Sequence, residues 1–139
     1  VSFGKKKNLH PARRETASEL HRFTLGLARE AFPMFTLLEE QTIEVRQNGK
    51  PKTLFVDIVI RELCVCIECQ GRQHDEHVPY FHKTQADFNR AKERDALKTE
   101  AIYECGMVVV YVYENEKNKL TKAQLERRIL QALKAKKAQ

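Results

Sequence analysis

Two successive apolar runs, each carrying one acid, constrain this chain most. Leu54-Phe-Val-Asp57-Ile-Val-Ile60 is followed, after Arg61-Glu62, by Leu63-Cys-Val-Cys-Ile-Glu68-Cys-Gln70. Runs this short and this rich in β-branched residues read as strands. The turn between them is tight, so they pair as a hairpin and carry Asp57 and Glu68 on neighbouring strands at one sheet edge. An ionised carboxylate is costly to bury unless it is paired or bound to a metal. Two such acids predict a divalent-cation site. Mg²⁺ prefers hard oxygen ligands and often uses only one or two carboxylates, so Mg²⁺ or Mn²⁺ fits Asp57 and Glu68, with the backbone carbonyl of Cys69 as a third ligand.

The remaining elements arrange themselves around this hairpin. A helix is expected from Pro11 to just before Pro33, with Ala17, Leu20, Phe23, Thr24, Leu27, Ala28 and Ala31 as its apolar stripe and Glu19 at the border. Phe35 to Val45 reads as a first strand, turned by Asn48-Gly49 into a second from about Lys52 to Ile60. Asp57 should share a face with Phe55 and Val59. In the third strand, Leu63 to Cys69, period-two spacing puts Cys64, Cys66, Glu68 and Gln70 on one face. Gly71 to Lys83 is a polar loop bearing His74, His77 and His82.

Thr84 then caps a helix that runs to about Cys105, and Gly106 stops it. Phe88, Ala91 and Ile102 form its inward stripe. Asp95 falls inside that stripe and Lys98 at its border, and charged residues facing inward want partners. They satisfy each other locally, or Lys98 provides the cation that Gln70 cannot. Met107 to Tyr113 is a buried strand. Thr121 and Gln124 form a capping box for a last helix, about residues 121 to 137, with Leu125, Ile129, Ala132 and Leu133 inward. The predicted whole is a single α/β domain over residues 1–139 with a basic tail at about 1–10. Its mixed four-stranded sheet has a crossover helix between the third and fourth strands.

At 139 residues the chain suits one domain with a real core, and its net charge is +6. The basic excess gathers at Lys5-Lys6-Lys7, Arg13-Arg14 and the tail Lys134 to Lys137, a balance that favours an acidic partner, nucleic acid above all. No apolar stretch approaches a membrane span. The start shows no hydrophobic signal region, which makes the cytoplasm the default location. Cys64, Cys66, Cys69 and Cys105 read as reduced core thiols. A zinc site using Cys64, Cys66 and Cys69 with His74 or His77 is the alternative, and it lacks the paired spacing of such sites.

Candidate roles follow from residue chemistry. Gln70 can orient a water or bind a phosphate oxygen but supplies no positive charge, which Lys98 could. His74 suits proton transfer near neutral pH. Glu19 could add a carboxylate from the first helix. Lys5, Lys6, Lys7, Arg72, Lys83, Arg90 and Arg94 are placed to hold a phosphate backbone.

The order of elements, Asp57, and Glu68-Cys69-Gln70 together resemble the PD-(D/E)XK nuclease superfamily, with glutamine where its lysine falls. Glu68-Cys69-Gln70-Gly71-Arg72-Gln73-His74 is similar to the strand end of the very-short-patch-repair-like and phage homing endonuclease branch. So is Arg94-Asp95-Ala96-Leu97-Lys98, followed by Gly106 and the strand to Tyr113. The resemblance spans roughly residues 13 to 113. It implies a restriction-endonuclease-like αβββαβ core with an extra C-terminal helix. It further implies metal at Asp57 and Glu68, His74 as general acid or base, Glu19 as the first-helix acid, and Mg²⁺- or Mn²⁺-dependent DNA cleavage. Such an enzyme would act in the cytoplasm, or in the host cytoplasm if virus-encoded. Cutting both strands would require a homodimer or two visits. A catalytically weak DNA-binding module of the same fold is the alternative.

Overall fold

The computed structural model describes residues 18–71 and 84–138. Helix α1 spans Glu19–Ala31, and its N-cap Ser18 accepts from the His21 amide at 3.0 Å. The helix expected to run on from Pro11 instead begins at Glu19, because Ser18 is extended and caps it; residues 11–17 lie outside the described residues. Strands β1 (Leu37–Gln47) and β2 (Lys50–Ile60) are joined by Asn48 and Gly49, with φ of 54° and 75°. Both central residues at positive φ make the tight turn whose twist matches the strands it joins.

A 3₁₀ turn at Arg61–Leu63 leads to β3 (Val65–Gln70). Here the structure corrects the predicted face: Cys64 is exposed and left-handed at φ 54°, so it stands outside the strand and shares no face with Cys66 and Glu68. The connection needs this extra turn because its 3₁₀ geometry must reverse the chain before the ladder restarts.

Helix α2 (Gln85–Glu104) is capped by Thr84, which accepts from the Asp87 amide at 3.1 Å, and ends at Gly106 with φ 83°. Strand β4 (Val108–Tyr113) precedes α3 (Lys122–Lys137), whose N-terminus carries the Thr121–Gln124 capping box. The sheet order is β1-β2-β3-β4. The first two pairings are antiparallel and β3–β4 is parallel, with α2 as the crossover. This is the mixed α/β architecture that the sequence predicts.

Each face of the sheet has its own core. Ile58, Ile60, Val65, Ile67, Val108, Val110 and Val112 pack against Leu20, Leu25 and Ala28 of α1 and Leu125 and Ile129 of α3. On the other face Ile43, Val56, Val59, Cys66 and Val109 meet Ile102 of α2. Phe88 and Ala91, expected inward with Ile102, are only half-buried.

Strand alternation slips at Asp57. Strict period two from Leu54 and Val56 would send Val59 to the opposite face, yet all three join the cluster under α2. Leu54 and Val56, rather than Phe55, therefore side with Val59. Glu40, across from Asp57 on β1, has φ 48°, so both strands bend at this level.

The free edge of β4 is closed by side chains. Arg128 donates to the Tyr111 carbonyl at 2.8 Å and to both oxygens of Glu116 at 2.9 and 2.6 Å, while Glu116 accepts from the Tyr113 amide at 3.1 Å. The Arg128 hydrogen bond holds the Glu116 carboxyl below the usual carboxylate range. Charge-assisted bonds at a partly exposed site are worth about 2 kcal/mol. Arg128→Ala should lower the urea midpoint by that equivalent at unchanged m-value, and an unshifted midpoint would show the pair to be idle.

Candidate metal centre

The backbone ladder between β2 and β3 ends at the Ile58–Ile67 pair. At the next level the two acids take over. The Asp57 amide donates to Glu68 Oε2 at 3.2 Å, and the Cys69 amide donates to Asp57 Oδ2 at 2.8 Å. Each carboxylate thus accepts from the backbone of the opposite strand, and the slip at Asp57 lets this cross-bonding form. In an extended strand the N–H and C=O of one residue face the same neighbour. The Cys69 carbonyl therefore lies on the β2 side with its amide.

Lys98 comes down from α2 onto this pair. Its Nζ lies 2.9 Å from Glu68 Oε1 and donates to the Phe55 carbonyl at 2.9 Å. Lys98 thus reaches across elements, and Asp95 on its own helix adds to the negative charge around it. Glu68 is 5% exposed and Asp57 is half-buried. The site thus contains two carboxylates and one ammonium, a shortfall of positive charge. Burial, then the Asp57 carboxylate, push Glu68 up to about 8. Burial works against the charge on Lys98, but Glu68 and then Asp57 outweigh it and hold the ammonium above its ordinary value.

A raised carboxyl means that the native state keeps a proton that the unfolded chain has lost. The stability this contributes is present at low pH and is lost as pH rises from the unfolded value near 4.5 through about 8. Metal-free protein should therefore melt at falling temperature across that window, and Glu68→Gln should flatten the profile. A divalent cation must displace the same proton, so its affinity should climb over the same window and level off above it. A Mn²⁺ titration by calorimetry at several pH values reads this directly, and a pH-independent affinity would contradict it.

The other expected residues fall elsewhere. Gln70 is half-buried and lines a groove between α2 and β4. The Glu19 carboxylate is exposed and bonds Lys117 at 3.1 Å. Helix α1 packs on the face opposite α2, so the structure does not bring Glu19 to Asp57 and Glu68. Arg90 pairs with Asp87 on the exposed face of α2, and Arg94 is half-buried on the same helix. Lys5, Lys6, Lys7, Arg72, His74 and Lys83 lie outside the described residues, as do His77 and His82.

The zinc alternative fails on geometry. Cys66 belongs to the cluster under α2, whereas Cys69 packs on the opposite core. Burial raises both thiols, Cys69 to about 12, which keeps them protonated. Among the described residues no group of three or more His, Cys, Asp or Glu side chains could hold a metal ion. A hard cation at Asp57 and Glu68 would complete its shell with carbonyl and water oxygens.

Two features escaped the sequence. His21 of α1 is buried and lies 3.0 Å from Glu39 Oε1. Tyr111 bonds Thr99 Oγ1 at 2.7 Å and, with Tyr113 and Tyr103, lines the groove beside the carboxylates. The tyrosines had a signal: Tyr111 and Tyr113 alternate with Val110 and Val112 in a strand otherwise made of valine.

No family model matches the chain. No solved structure matches it. Among curated proteins the chain is similar to "Uncharacterized protein 094L" of Frog virus 3 (isolate Goorha), 37% identical over 62 residues. That stretch is 44% of this chain and 40% of the viral protein, so the chain spans well under half of that relative's length.

Proposed function

We propose that this protein is a divalent-metal-dependent endodeoxyribonuclease with a restriction-endonuclease-like core. The observation that carries the reading is the convergence of Asp57, Glu68 and Lys98 from β2, β3 and α2 onto one point. The mixed sheet with its α2 crossover supports it, as does the net charge of +6. No helix among the described residues is long and apolar enough to cross a membrane, and the proposed place of action is the cytoplasm, or a host's if virus-encoded.

The donor set fits Mg²⁺ or Mn²⁺: two hard carboxylates, a nearby carbonyl, and a charge shortfall that a dication would reverse. Bound there, the ion would polarise a phosphate oxygen and ease deprotonation of an attacking water. Asp57 and Glu68 would hold it and fix its position, since both are themselves held by backbone amides of the opposite strand. Lys98 would lower the cost of ionising Glu68, which holding a cation requires, and present positive charge where negative charge accumulates on the phosphoryl oxygens. His74 is the proposed proton carrier at the leaving or attacking oxygen. Lys5, Lys6, Lys7, Arg72, Lys83, Arg90 and Arg94 are the proposed contacts to DNA phosphates.

The test is cleavage of labelled linear, nicked, mismatched and four-way DNA in Mg²⁺, Mn²⁺ or EDTA. Metal-dependent cuts are expected. Cleavage that persists in chelator would overturn the metal chemistry, and binding with no cut in any substrate would mark an inactive DNA-binding relative of such enzymes.

A further inference from the structure

Beside the carboxylates lies an open groove of about 870 Å³, lined by residues of α2, β4 and the end of β3. Its chemistry is unlike that of a phosphate site. Tyr111 and Tyr113 are stacked, with ring centroids 6.3 Å apart, and Tyr103 faces the same groove from α2. Tyr113 is 41% and Tyr103 54% exposed. Adjacent aromatic rings left open to solvent form a platform on which a flat ring can stack.

The charges around the groove point the same way. Asp95, Glu100 and Glu104 line it against a single Lys92. Three carboxylates repel a phosphate but accept hydrogen bonds from exocyclic amino groups, as acids do from cytosine. Gln70, at the mouth, can donate and accept at once. The groove neighbours the metal centre along the chain, and Tyr111, which lines it, is paired in register with Glu68. Gln70 directly follows Cys69, and the helical turn holding Asp95 and Thr99 also carries Lys98.

We propose that this groove receives an unstacked nucleobase of the DNA, from a single strand or lifted out of the duplex, while the adjoining phosphate lies at Asp57 and Glu68. The inference rests on the nuclease reading and names its substrate: DNA with an unpaired base at the cut. The tyrosine faces supply stacking. The carboxylates and Gln70 address the edge of the base. Duplex that keeps its stack cannot fill the groove.

A single-stranded oligonucleotide carrying the fluorescent base 2-aminopurine, titrated in EDTA, tests this without turnover, against a fully paired duplex of the same length. Wild-type protein should quench the single-stranded probe. Tyr113→Ala should weaken its affinity by roughly 5- to 100-fold, the range for loss of one base–aromatic stack. Duplex affinity and the rise in melting temperature with Mn²⁺ should stay as in wild type, and Tyr113→Phe should restore quenching. Wild-type affinity and quenching in both Tyr113→Ala and Tyr103→Ala would overturn the groove assignment, even if DNA is cut. Tyrosine-dependent quenching in a protein that neither binds Mn²⁺ nor cuts would support the groove while sinking the nuclease reading.

Discussion

Glu68→Gln should abolish metal-dependent cleavage, lowering the rate by at least about 10³-fold, and should also remove the rise in melting temperature that Mn²⁺ gives the wild type. Glutamine keeps the shape of the side chain and can still accept from the Asp57 amide, so the fold should survive. It cannot offer a charged oxygen to a cation. The metal-free protein should not be weakened, because the substitution removes a carboxyl that burial and Asp57 already push up to about 8. Loss of cleavage with unchanged or higher metal-free stability is the expected signature. Glu68→Gln that cuts DNA at the wild-type rate would refute the proposed centre. Asp57→Asn should lose cleavage likewise, but its amide group must still accept from the Cys69 amide at the 2.8 Å position through its remaining oxygen.

Lys98→Met should have the largest effect on stability. It leaves buried Glu68 and half-buried Asp57 with no cation between them, and stranding one partner of a buried pair costs about 3–5 kcal/mol. The metal-free variant should melt far below wild type above about pH 8, where Glu68 ionises beside Lys98 in the wild type, and recover much of the loss at lower pH, where Glu68 is protonated. Saturating Mn²⁺ should also rescue it, because the ion replaces the missing charge. The double variant Glu68→Gln/Lys98→Met should be close to wild type in stability, since neither half of the pair is then stranded. Thermal melts of all four proteins, with and without Mn²⁺, give the coupling between the two residues. Independent, additive losses would show that the 2.9 Å contact between Lys98 and Glu68 is not an energetic pair.

Much of the fold was legible because local chemistry and tertiary structure agree. Asn48-Gly49 marks its turn through the backbone alone, and Thr84 and Thr121 mark helix starts through hydrogen bonds within one turn. The acids were legible because Asp57 and Glu68 are out of place in apolar strands. Lys98 was visible as a charge at the border of an inward stripe, though its partner was not, since that depends on how α2 crosses the sheet.

What stayed hidden required knowledge of two elements at once. The slip at Asp57 is shared with Glu40 on β1, and period-two reasoning along one strand cannot detect it. His21 shares the buried face of α1 with Thr24 and Ala28, but its bond to Glu39 depends on where β1 passes. Glu19 looked like a ligand from its place in a helix, but Lys117, 98 positions away, supplies its partner. The tyrosine groove exists only where β4 and α2 meet.

The Arg128–Glu116 clasp does for β4 what a fifth strand would do: one guanidinium takes the outward carbonyl of Tyr111 and one carboxylate the outward amide of Tyr113. A neighbouring strand therefore meets a margin whose C-terminal end is already occupied. Strand addition is hindered at that end of β4, and a two-fold assembly that brings a pair of centres to opposite DNA strands would be built elsewhere, through helices, loops or the other edge at β1. Mutants that undo the clasp should reveal themselves first at high concentration, as turbidity, before activity declines.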